Sequence, residues 1–159
     1  MAAARKTVRK PRRSTRNPQP ETLSAFIRQH GITATSEYLG QKTEGMGSKA
    51  WPHHAYTVTL RMGRKSMRTP YKMGTGHHSE PTAMDVMSLL VLDAAGFENS
   101  KPRSGGEDAH VESFASEYGY ESISETLRVY RAVKKMSAAL KRFLGPAGFA
   151  TAISLEVDD

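Results

Sequence analysis

The sequence predicts an α+β fold, in which a three-stranded antiparallel meander packs on a buried helix and further helices follow. Three observations carry this. Residues 55–62 and 66–73 alternate apolar and polar with period two and are separated by a short glycine turn. From Val86 to Ala95 almost every residue is apolar, which predicts a helix buried nearly all round. From Ser122, about 23 residues run without a breaker to Gly145, and Leu127, Tyr130, Val133, Met136, Leu140 and Phe143 form a helical stripe.

The elements are expected in this order. Residues 1–20 are a basic arm with three prolines and one large aliphatic residue after Met1, Val8. They bury too little apolar surface to offset their ordering entropy, so the arm is expected to be disordered. Leu23, Phe26, Ile27 and His30 share one face of a short helix that Gly31 ends. Residues 32–39 are rich in β-branched side chains and predict the first strand. The connection 40–54, with Trp51, is read as a long glycine-rich loop. Tyr56, Val58, Leu60 and Met62 form the dry face of the second strand; Gly63-Arg64-Lys65 turns into the third. Pro70 cannot donate to a ladder, which places that strand at an edge or breaks it there.

Thr82 and Asp85 have capping-box spacing ahead of the buried helix, which Gly96 is expected to end. After a polar loop over 98–107, Val111, Phe114, Ala115 and Tyr118 predict a third helix ending at Gly119. Ser122 and Glu125 repeat the box, and the helix over 122–144 would be roughly 34 Å long at about 1.5 Å per residue. The tail 149–157 alternates like a strand and is alanine-rich like a helix; both readings stand. The expected organisation is a disordered arm over 1–20 and a single α+β domain over 21–159.

Charge is unevenly placed. Arg5, Lys6, Arg9, Lys10, Arg12, Arg13 and Arg16 carry the whole formal net charge of +7; residues 21–159 hold 16 Lys+Arg against 16 Asp+Glu. An acid-free basic arm is an electrostatic footprint for phosphates, and a solubilising tail is the plain alternative. Within the body, residues 104–127 hold six acids and no base, and residues 128–155 six bases and no acid. Acids at helix starts and bases at helix ends complement the helix dipole, which explains the pattern structurally. A functional reading takes Arg128, Arg131, Lys135 and Arg142, on one face by spacing, as a phosphate-binding stripe extended by Arg61, Arg68 and Lys72.

Other chemistry finds little support. Without cysteine there is no disulfide, thiol nucleophile or Cys-ligated zinc. His53-His54 and His77-His78 are read as exposed loop histidines, since adjacent residues on extended chain point apart and offer one ligand each. No metal and no cofactor are expected. Gly74, Gly76, His77, His78 and Ser79 form a loop ahead of a helix that is open to two readings, an anion cradle or a flexible cap. His110-Val-Glu112 matches the deaminase His-x-Glu but lacks its cysteines. No motif fixes a nucleophile, base and orienting group, so no enzyme is expected. No run of about 18 apolar residues exists to span a membrane. The charged start lacks a secretory apolar core and the apolar face of a transit peptide. A cytoplasmic protein is the expectation.

Two resemblances follow from particular residues. The helix–strand–strand–strand–helix order over 21–95, with Gly74-Thr-Gly76-His-His-Ser79 before the second helix, is similar to the double-stranded-RNA-binding domain. That family places lysines at the helix start to reach phosphates across the major groove; Glu80, Pro81 and Asp85 stand there instead. Four segments resemble small phage and prophage proteins of unknown activity, over roughly residues 32–145. They are Tyr71-Lys-Met-Gly74-Thr-Gly76-His77, Asp93-Ala-Ala-Gly96-Phe-Glu-Asn99, Phe114-Ala-Ser-Glu-Tyr-Gly119-Tyr120 and Leu140-Lys-Arg-Phe-Leu144-Gly145. This resemblance implies a phage setting inside a bacterial host. The expected function is non-enzymatic binding of nucleic acid or a nucleoprotein complex. The alternative is an inhibitor of a host defence complex, similar to anti-CRISPR proteins, that contacts protein through the acidic block and the Trp51 region.

Overall fold

A computed structural model describes residues 19–44, 50–76, 79–118 and 122–157. The arm cations Arg5 to Arg16, together with His77 and His78, lie outside the described residues. Helix α1 (Leu23–His30) begins where the Thr22 hydroxyl accepts the Ala25 N–H at 3.1 Å. It ends at Gly31, whose φ of 63° is the left-handed conformation that closes a helix without a Cβ penalty. Leu23, Phe26 and Ile27 are its buried face.

Strands β1 (Thr33–Glu44), β2 (Trp51–Met62) and β3 (Lys65–Gly74) form an antiparallel sheet in the order β1-β2-β3. The turn is tighter than read from sequence: Met62 pairs with Lys65, leaving Gly63-Arg64 as a two-residue loop with Gly63 at φ 61°. Pro70 sits on an outer strand, where a missing N–H is tolerated.

The expected long loop over 40–54 is mostly strand. Residues 40–44 continue β1 past a bulge at Leu39, and β2 begins already at Trp51. The expected exposure of His53 and His54 fails with it: they are 2% and 8% exposed. Both sit in the central strand, one on each face, and each packs against a neighbouring aromatic ring. His54 accepts or donates a 2.8 Å hydrogen bond with the Tyr38 hydroxyl. His53 lies under the Trp51 ring, with centroids 4.9 Å apart.

Helix α2 (Ala83–Asn99) has the full capping box: Asp85 N donates to Thr82 Oγ1 at 3.1 Å and Thr82 N to Asp85 Oδ2 at 2.9 Å. It runs past Gly96, its expected end, because Phe97 one residue on is buried in a packed aromatic cluster. Val86, Met87, Leu90, Val91 and Ala94 face the core, but Leu89 and Leu92 are 43% and 54% exposed. The helix is thus not buried all round; its neighbours cover one side and leave this pair to solvent.

Helix α3 (Glu107–Tyr118) leads to α4 (Ile123–Val157), where Glu125 N donates to Ser122 Oγ at 3.1 Å. Gly145, at φ 79° and ψ 161°, breaks α4 into two segments, and Pro146 opens the second, where its missing N–H costs nothing. The tail is therefore helical. Phe149 and Ala152 are buried at helical spacing, and Ile153 packs beside them.

Two cores result. The larger joins one sheet face (Tyr56, Val58, Leu60, Met67) to α1, α2 and the later part of α4. The smaller holds Phe97, Phe114 and Tyr130, flanked by Val111, Val129 and Val133.

Candidate nucleic-acid interface

A helix turns about 100° per residue, so Arg128, Arg131, Lys135 and Arg142 fall within about 60° of one another around α4. All four are exposed. Lys134 and Lys141 lie roughly a quarter-turn further round the helix. They line a cavity of about 540 Å³ with Lys101, Glu98 and Glu107. There Lys134 Nζ lies 3.9 Å from Glu107 Oε2, and Lys101 Nζ 3.0 Å from Glu98 Oε2. The basic helix thus presents two files of cations. In one, Lys134 approaches the Glu107 carboxylate across the cavity, and the other is the outward stripe.

Strand register places Arg61, Arg68 and Lys72 on a common sheet face, opposite the core. Thr35, Thr59 and Arg68 form one row across the three strands; Thr33, Arg61 and Ser66 form the next. Lys72, level with Ala55, reaches across β2 to Glu44, level with Trp51. This ion pair spans the stretch of β2 containing His53 and Ala55, on an otherwise polar face. The Lys72 hydrogen bond holds the Glu44 carboxyl below the usual carboxylate range. A depression of about 700 Å³, lined by Glu44, Lys72, Glu125, Arg128, Val129 and Ala132, links this face to the start of the α4 stripe.

Of the candidate anion loop, Gly74, Gly76 and Ser79 are described, and His77 and His78 lie outside the described residues. Gly74 ends β3, Gly76 lies in the following turn, and Ser79 is exposed and is not the helix cap. The α2 N-terminus already holds Thr82 and the carboxylate of Asp85, which satisfies N–H groups and repels a second anion.

One cluster escaped the sequence reading. His110 is 7% exposed and joins three helices. Its Nε2 is 3.0 Å from Ser100 Oγ and 3.3 Å from the Phe97 carbonyl; its Nδ1 is 2.9 Å from the Tyr130 hydroxyl. The outline is that of a serine–histidine pair with an orienting group. Proton placement points elsewhere. A carbonyl only accepts, so Nε2 carries the proton, and Ser100 Oγ donates its own to Phe97 O at 2.8 Å. Nδ1 then accepts from Tyr130. Every proton is committed, and the imidazole has no free lone pair facing the serine. The arrangement ties the end of α2 to α3 and α4. Burial, with Glu107 nearby, raises the Tyr130 phenol above its ordinary value, which keeps it a donor. The only local signal was His110 one turn before Phe114 on an apolar face. The partners at positions 97, 100 and 130 follow no short spacing.

Among the described residues no group of three or more His, Asp or Glu side chains is placed to hold a metal ion. No described helix is long and apolar enough to cross a membrane. No protein-family model, curated protein or solved structure matches the chain.

Proposed function

We propose that the protein binds nucleic acid, alone or within a nucleoprotein complex, as a non-enzymatic accessory protein of a phage or prophage acting in the host cytoplasm. The observation that carries the reading is the outward file Arg128, Arg131, Lys135 and Arg142. These exposed cations share one helix face and lead into the sheet face of Arg61, Arg68 and Lys72. Phosphates spaced along a strand suit such a linear array, and the basic arm adds seven cations. Contacts of this kind position a backbone without reading bases.

The test is a change of all four stripe residues to Gln in a chain lacking residues 1–20. Gln keeps helix propensity near that of Lys and Arg, so α4 survives. Affinity for unrelated sequences should fall together, and the slope of log K against log salt should shrink by up to about four contacts' worth, about 0.9 each on duplex and 0.7 on single strands. No nucleic-acid binding by the arm-deleted chain before the Gln changes would remove the stripe from the reading.

A second reading, inhibition of a host defence complex by protein contact, is favoured by Leu89 and Leu92 standing exposed on α2 beside Asp93. Nuclease treatment during partner capture separates the two. Capture that survives it, and that charge reversal at Glu107, Asp108, Glu112 and Glu117 abolishes, belongs to the inhibitor.

A further inference from the structure

We infer that the outer face of the sheet is a platform for single-stranded nucleic acid, on which one unpaired base stacks on Trp51. This rests on the nucleic-acid reading above and specifies its partner.

Trp51 opens β2 and is 47% exposed. One side of its indole is held against the His53 ring, with centroids 4.9 Å apart and planes 28° from parallel. The remaining exposed surface faces solvent. A tryptophan fixed in this way has already lost its rotamer freedom, so a further ring stacking on it incurs little ordering cost.

The surroundings suit a phosphate backbone. Residues 51, 53, 55, 57, 59 and 61 point to the same side of the sheet, and their partners bring Lys42, Lys72, Arg68 and Ser66 to that side. Thr33, Thr35, Thr57 and Thr59 supply hydroxyl groups between the cations. Four cations, Lys42, Arg61, Arg68 and Lys72, face two carboxylates, Glu37 and Glu44. Lys72 neutralises the second of these, so the carboxylate next to Trp51 does not repel a phosphate outright. From Trp51 to the row of Arg68 is eight residues of β2, about 26 Å at about 3.3 Å each. That length is comparable with single-strand sites of roughly 4–16 nucleotides.

Duplex partners do not match this surface. In a duplex the base faces are stacked on one another and a surface tryptophan cannot reach them. A single strand offers a free π-face with every base, whatever the sequence. The combination of one ordered aromatic with flanking cations therefore selects strandedness over sequence.

Trp51 is the only tryptophan in the chain, so its fluorescence reports this contact alone. The experiment titrates the full chain with a 12-nucleotide oligo-dT, the matching oligo-rU and a 12-base-pair duplex. Indole emission and the anisotropy of a labelled strand are followed together. The expected result is quenching by either single strand and little by the duplex. Trp51→Ala should weaken single-strand binding roughly 5- to 150-fold, the equivalent of one base–aromatic stack, with duplex binding nearly unchanged. Trp51→Tyr keeps a stacking ring and should restore most of the loss. It covers the case in which the alanine variant fails to fold. Anisotropy showing binding with no change in indole emission would overturn the platform while leaving the nucleic-acid reading intact. So would equal losses on single strand and duplex in a folded Trp51→Ala variant. No binding by either probe would overturn both.

Discussion

The two cores of this protein are stabilised in different ways. The sheet-facing core is mainly aliphatic: Val58, Leu60, Val86, Met87, Leu90, Val91 and Leu140 fill it beside Phe26, Tyr56, Phe143 and Phe149, and its strength is apolar area removed from water. The core between α2, α3 and α4 is small and aromatic, and a histidine with three hydrogen-bond partners fastens it. The first tolerates exchange of one aliphatic side chain for another of similar volume. The second depends on donors and acceptors meeting in a fixed order, and a single missing atom leaves a buried group unpaired. The difference separates an interior specified by volume from one specified by polar geometry.

Three substitutions sharpen this contrast, from the largest effect to the smallest. Leu90→Ala removes volume from the sheet-facing core and should cost about 2–5 kcal/mol in chemical denaturation. A near-neutral result would mean that the sheet core does not depend on α2. Tyr130→Phe changes almost no volume but leaves His110 Nδ1 without its donor, so it should cost about 1–3 kcal/mol. An unchanged midpoint would show that the aromatic core stands by packing alone. Asp93→Asn has the smallest effect. Desolvation of its carboxylate by the neighbouring apolar residues of α2 raises the Asp93 pKa, so the folded state holds this proton to higher pH than the unfolded chain does. The raised value favours folding at acid pH, and that contribution is lost as pH rises from the ordinary aspartate range through the raised pKa. The asparagine variant should therefore melt slightly higher than the parent at pH 7 and lose the advantage at about pH 3. Solvent at this partly exposed side chain keeps the gain to a degree or two.

The same contrast explains what was legible in the sequence. Elements of the sheet-facing core announce themselves by local period: Leu23-Phe26-Ile27 at helical spacing, Tyr56-Val58-Leu60 at strand spacing, Thr82 and Asp85 as a cap. The outward stripe on α4 was readable for the same reason, since four charges at fixed spacing share a face wherever the helix lies. Pairing in β1 beyond Tyr38 was not readable. Gly40, Gln41 and Lys42 have no strand pattern of their own and are drawn into the sheet by β2. The burial of His53 was not readable either, because its place in the central strand depends on pairing with β1 and β3, which is invisible to a window of neighbours. His110 was hardest, since its partners are 10, 13 and 20 residues away and belong to two other helices and a cap.

The bulge at Leu39 has a consequence for the sheet as a polymerisation template. β1 is an outer strand of 12 residues, long enough for a second chain to add edge to edge and propagate a fibril. The register shift between Tyr38 and Gly40 divides it into one run of six residues and another of five. A bulge bends its strand and steepens the local twist, so a straight incoming strand can match one run but not both. On the opposite border Pro70 withholds a donor midway along β3. Each border is interrupted near its centre, which disfavours the addition of a further strand.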